Sequence, residues 1–91
     1  MRRAAKVDVN QPEIVKQIRK LGGYVLHTHI LKNAFDLLVG YKGKLYIIEI
    51  KKDDKGKLTE GELKCKEGFN SVGVDYHVIY NIEQFIELIN E

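Results

Sequence analysis

Phe35-Asp36-Leu37-Leu38-Val39-Gly40-Tyr41-Lys42-Gly43-Lys44-Leu45-Tyr46-Ile47-Ile48-Glu49-Ile50-Lys51 holds two runs of strand-forming residues parted only by Lys42-Gly43. β-Branched, aromatic and leucine side chains suit a pleated, half-buried surface, and a two-residue break has the length of a tight hairpin turn. With that turn, residue 41 faces 44, 40 faces 45, and the count ends with Asp36 opposite Glu49, Cβ atoms about 4.5–5.5 Å apart. Lys51 lies two residues past Glu49 and shares its face. Three charged groups converge on one spot.

Tyr46-Ile47-Ile48-Glu49-Ile50 is apolar in both alternations, the pattern of a strand covered on both sides. Glu49 is then a carboxylate set into a core strand. Opposed like charges destabilise a sheet, and a partly buried carboxylate is costly unless paired. A divalent cation between Asp36 and Glu49, helped by Lys51, relieves the conflict; hard oxygen ligands suit Mg²⁺ or Mn²⁺, with water and substrate phosphate completing the shell. Ordinary ion pairs of the two acids with Lys51 or Arg19 also relieve it.

Upstream, Asn10-Gln11-Pro12-Glu13 opens a helix, with Asn10 as its cap and Glu13 at capping-box spacing. Ile14, Val15, Ile18 and Leu21 continue it at helical spacing, Gly22-Gly23 end it, and Tyr24 to Ile30 reads as a strand. Downstream, residues 53–57 form a polar loop. Thr59 and Glu62 have capping-box spacing and Leu58 and Leu63 the staple positions, while Gly61 weakens that first turn by up to about 1 kcal/mol. Val74 to Tyr80 is a fourth strand. Asn81 caps a last helix whose Ile82, Phe85, Ile86 and Ile89 face inward. The order αβββαβα predicts an α/β fold, a mixed four-stranded sheet flanked by helices, with the middle helix as a parallel crossover. Residues 1–9 read as a basic arm and 10–91 as one domain.

The 91 residues are 44% hydrophobic and 31% charged, an ordinary globular profile rather than a disordered one. The net charge of +2 decides little, because clustering matters more. Arg2, Arg3 and Lys6, then Lys16, Arg19 and Lys20, then Lys51, Lys52, Lys55 and Lys57 form the clusters. A lone Cys65 excludes an internal disulfide and a multi-cysteine zinc site, which agrees with a reducing, cytoplasmic setting. No apolar run reaches the roughly 20 residues of a membrane span. A core this small favours self-association.

Phe35-Asp36, twelve residues, then Glu49-Ile50-Lys51 resembles the signature of the PD-(D/E)xK nuclease superfamily, whose restriction-endonuclease-like core has the same element order. Within it the chain resembles small VRR-type nucleases of phages and prophages. The likeness includes Arg2-Arg3-Ala4-Ala5, Asn10-Gln11-x-Glu13-Ile14-Val15, the Asp-Leu-Leu-Val-Gly hairpin and the Leu58 to Glu62 helix start. It covers nearly the whole chain; the proline usual before the first acid is Phe35 here.

The resemblance implies that Asp36, Glu49 and the Ile50 carbonyl ligate the cation. Lys51 would orient or activate water and offset transition-state charge. Glu13 would join them from the first helix, its other role being the cap with Asn10, and Gln17, one turn on, would support it. For Glu62 the cap suffices. The expected activity is divalent-metal-dependent hydrolysis of DNA phosphodiesters, endonucleolytic, on branched, flapped or nicked DNA in a bacterial or phage-infected cell. Lys52, Lys55, Lys57 and the Arg2-Arg3 arm would hold the backbone, and a homodimer would supply two sites. The alternative is a non-catalytic DNA-binding or regulatory module on the same fold.

Other candidates are weaker. His27 and His29 alternate along one strand without a third ligand, the tyrosines suit packing, and Cys65 lacks an activating base.

Overall fold

The structure, a computed structural model, describes residues 8–91. Its elements run α1 (Gln11–Lys20), β1 (Tyr24–His27), β2 (Leu37–Tyr41), β3 (Lys44–Ile50), α2 (Glu60–Ser71), β4 (Tyr76–Ile79) and α3 (Ile82–Ile89). The sheet order is β1-β2-β3-β4, antiparallel except for the parallel β3–β4 pair that α2 connects. This is the expected mixed sheet and crossover.

The turn at Lys42-Gly43 has positive φ at both residues, 47° and 82°, as a type I′ hairpin requires. Its twist matches the strands, and the register follows the count from Tyr41↔Lys44 to Leu37↔Ile48. Beyond that pair the ladder departs from the count. Asp36 N–H donates to the Ile48 carbonyl (3.1 Å), the residue already paired with Leu37. Two residues of one strand then stand against one of the other, a β-bulge. Asp36 is therefore not a simple ladder partner of Glu49.

One face of the sheet carries the core. Leu37, Val39, Ile48, Ile50 and Ile79 pack with Ile14, Val15 and Ile18 of α1 and Phe85 of α3. Ile82, Leu88 and Ile89 join them, whereas Ile86, expected inside, is exposed. The inward stripe thus runs through Leu88 instead. Glu49, between Ile48 and Ile50, points to the other face, where α2 lies.

Strand β1 ends before the predicted Ile30 because Thr28 turns the chain. Its N–H donates to the Asp36 carbonyl (2.8 Å), its Oγ1 to the Phe35 carbonyl (2.7 Å), and its own carbonyl accepts from Leu31 N–H. Residues 29–35 consequently fold over the end of the hairpin. Tyr76 Oη fixes them by donating to the Ala34 carbonyl, and Phe35 meets Phe69 and Tyr76 edge-on. Gly61 has its reason here: a Cβ on it would overlap the Asn33 side chain, so the glycine lets this loop sit against α2.

Candidate active site

Strand β3 brings Glu49 to a cleft of about 320 Å³ that Asp36, Glu62 of α2, and His29, Asn33 and Phe35 of the overlying loop also line. Glu49 is 3% exposed. Burial, then the charges of Asp36 and Glu62, push its carboxyl up to about 8 despite Lys51 nearby. Asp36 is raised too, chiefly by burial. Its Oδ2 accepts from Ile50 N–H at 2.8 Å, which holds the carboxylate at the end of β3. The bulge re-aims Asp36 so that it meets the backbone there as well as sharing the cleft with Glu49.

Lys51 Nζ lies 2.9 Å from Glu62 Oε1 and 3.4 Å from Glu49 Oε2. Burial alone would lower its pKa, but the bonds to Glu62 and Glu49 outweigh that and raise it. Glu62 does more than the expected cap. Its Oε1 accepts from Thr59 N–H, closing the capping box, and from Lys51 Nζ. Burial opposes its ionisation, yet Lys51 and the Thr59 amide hold it below its usual value.

Backbone hydrogen bonds around residue 50 alternate. Ile50 N–H meets Asp36 on the β2 side, while Lys51 N–H donates to the Ile79 carbonyl on β4 (2.9 Å). In extended backbone a residue's N–H and C=O point to the same side, so the Ile50 carbonyl faces the Asp36 side. The Lys51 carbonyl accepts from Asn10 Nδ2 (2.9 Å), which also donates to the Tyr80 carbonyl (2.9 Å).

Asn10 is thus the N-cap by position only. Its side chain makes no cap bond: the amide is turned so that both Nδ2 hydrogens go to the ends of β3 and β4, and Oδ1, the atom a cap would use, is buried without a partner among the described residues. Asn10→Ala is expected to destabilise the fold by about 1–3 kcal/mol by stranding two carbonyls. Urea unfolding checks this; a change under ~0.5 kcal/mol would contradict it.

Asp36, Glu49 and Lys51 come together. Glu13 does not join them: it is exposed, and its Oε2 accepts from Gln17 Nε2 at 2.7 Å, so the two pair with each other. Glu13 lines a different cavity, with Ile14, Ile82 and Glu83. The acid on the N-terminal side that acts on Asp36 is half-buried Asp8, whose charge helps raise the Asp36 pKa. Its position three residues before the helix-opening Gln11 was the available signal. Lys52, Lys55 and Lys57 are exposed on the loop after β3; Arg2 and Arg3 lie outside the described residues.

The oxygen donors suit a hard divalent cation: two carboxylates and a carbonyl on the same side, with the Lys51 ammonium beside them as a second positive charge rather than a ligand. Among the described residues no three His, Cys, Asp or Glu side chains form a metal cage. A cation here would take the rest of its shell from the main chain, water and substrate.

No protein-family model matches the chain, and no curated protein does. Among solved structures, the chain is similar to one described as "VRR_NUC domain", with 30% sequence identity and a TM-score of 0.71. The match covers 89% of this chain and 90% of that one.

Proposed function

The chain belongs to the VRR_NUC family of nuclease-like domains, and from that premise we propose that it hydrolyses DNA phosphodiester bonds with a divalent cation, Mg²⁺ or Mn²⁺. Glu49 carries the reading. A 3%-exposed carboxylate beside a second one is an expense for a stable fold and an asset for holding a cation.

Asp36, Glu49 and the Ile50 carbonyl would hold that cation, with Asp8 adding negative charge behind Asp36. When bound, it polarises a phosphoryl oxygen and lowers the pKa of its water. The chain's own residues supply the rest. Asp36 is oriented by Ile50 N–H, Glu49 by its place in a central strand, and the Lys51 ammonium by Glu62. Lys51 orients the attacking water and offsets charge gathering on the phosphorus oxygens. Exposed Lys52, Lys55 and Lys57 contact the backbone, making binding salt-sensitive. Glu13 and Gln17, paired on the outer face of α1, take no part in this scheme.

Internal cutting of branched, flapped or nicked DNA follows from the resemblance drawn on the sequence. A homodimer would supply a second active site for the opposite strand. Tyr24, Leu26 and Leu45, exposed apolar residues on the sheet face that α2 only partly covers, offer it a surface.

The test is cleavage of junction, flap, nicked and linear DNA with Mg²⁺ or Mn²⁺, beside Asp36→Ala. Wild type is expected to cut and the variant to lose activity. Equal behaviour of the two would refute the enzyme; binding without cutting would leave a DNA-binding module on a nuclease fold.

A further inference from the structure

Beside the acidic cleft lies a cavity of about 250 Å³ with the opposite chemistry. Gln11, Pro12, Val15 and Arg19 of α1 form one wall, His27 and His29 the other, and among the described residues no carboxylate lines it. The two imidazoles meet edge to face with ring centres 5.8 Å apart.

Two of these side chains lack partners where partners are needed. Gln11 is 2% exposed, yet neither its Nε2 nor its Oε1 has a hydrogen-bond partner among the described residues. His29 Nδ1 is also buried without one. Buried polar atoms are ordinarily satisfied, so a cluster of unsatisfied ones on a cavity wall points to an absent partner.

We propose that Gln11, Arg19, His27 and His29 form a phosphate-binding subsite for the strand whose neighbouring phosphate lies at Asp36 and Glu49. The chemistry favours an oxyanion. Arg19 presents a fork of donors that matches phosphate oxygens, Gln11 an amide N–H₂, and each imidazole an N–H. The site also lies by the N-terminal turn of α1, the positive end of its dipole. Burial, then the positive charge of Arg19, then His29 hold the His27 pKa below its ordinary value. His29 lines both this cavity and the acidic cleft, so the two adjoin along one path.

Placement of a DNA strand rests on the nuclease reading; capture of a phosphate group does not. The first experiment therefore uses inorganic phosphate on the full chain in EDTA, followed by NMR. The His27 and His29 ring signals and the Gln11 side-chain amide should shift together and saturate. Arg19 is exposed, so Arg19→Ala should keep the fold, checked by spectral dispersion, and weaken the response about tenfold.

Two further arms, run on non-cleaving Asp36→Asn, separate an internal phosphodiester from a terminal phosphate. An oligonucleotide with one methylphosphonate should bind more weakly at one linkage position, and this dependence should vanish with Arg19→Ala. If the ligand is terminal, a 5′-phosphate should strengthen binding over a 5′-hydroxyl, again only with Arg19 present. Either result supports the subsite. Shifts confined to the loop of Lys52, Lys55 and Lys57, or an unchanged response in Arg19→Ala, would overturn it. So would a histidine response to Zn²⁺ with none to phosphate. A chain that takes up phosphate here but cuts no DNA keeps the subsite and loses the nuclease reading; a cutting chain without this response does the reverse.

Discussion

Replacing Glu49 by Gln is expected to raise the melting temperature of the metal-free protein at pH 8 while lowering cleavage by more than about a hundredfold. Burial, Asp36 and Glu62 set the Glu49 pKa at about 8, against 4.5 for an ordinary glutamate. Between those values the folded state keeps a proton that the unfolded chain has released. The folded state is therefore favoured below about pH 4.5, loses stability as pH rises toward 8, and changes no further above it through this group. Gln imitates the protonated form at every pH. Its advantage should be small at pH 5 and on the order of 2 kcal/mol at pH 8, roughly 10 °C for a domain of this size. Thermal melts in EDTA at both pH values check the stability arm, and plasmid cleavage with Mn²⁺ the other. A lower melting temperature for Glu49→Gln at pH 8 would mean that the ionised carboxylate stabilises the fold.

Lys51→Met tests the opposite side of the same balance. The lysine side chain is 15% exposed and its ammonium offsets Glu49 and Glu62, while its charge also favours ionised Asp36. Without it, a cluster of carboxylates shares one cleft. The metal-free variant is expected to lose about 2–4 kcal/mol at pH 9, where Glu49 is ionised, and less at pH 7, where Glu49 already holds its proton. Mn²⁺ should stabilise the variant more than it stabilises the wild type, because the cation replaces the missing charge. Activity should stay low even then, since restoring charge does not restore a positioned ammonium. Adding Glu49→Gln should recover part of the lost stability, a coupling expected of groups in contact. Denaturant unfolding of the four proteins, with and without Mn²⁺, measures each term; strict additivity would dissolve the proposed charge balance.

The hairpin was legible because two local signals agreed: the length of the break at Lys42-Gly43 and the doubly apolar run around Glu49. The capping box at Thr59 was legible for the same local reason. What the residues concealed were choices made by tertiary contact. Asn10 has the chemistry of a cap but finds two strand-end carbonyls instead. Thr28 looks like a strand residue until the Asp36 and Phe35 carbonyls draw it into a turn. Glu13 has the spacing of a cap or a ligand and pairs with Gln17. Asp8, read as part of a basic arm, acts on the cleft because the chain entering α1 passes the end of β3.

Glu62 Oε1 joins α2 to the cleft through hydrogen bonds, beside the packing of Phe35 on Phe69. One oxygen accepts from Thr59 N–H, which starts α2, and from Lys51 Nζ, which belongs to the cleft. Any event that draws the ammonium toward an incoming phosphate leaves that oxygen with more electron density for the amide. The Thr59 proton then becomes a built-in gauge: its exchange with solvent should slow and its resonance move as the cleft is engaged, reporting occupancy from the outside of the fold.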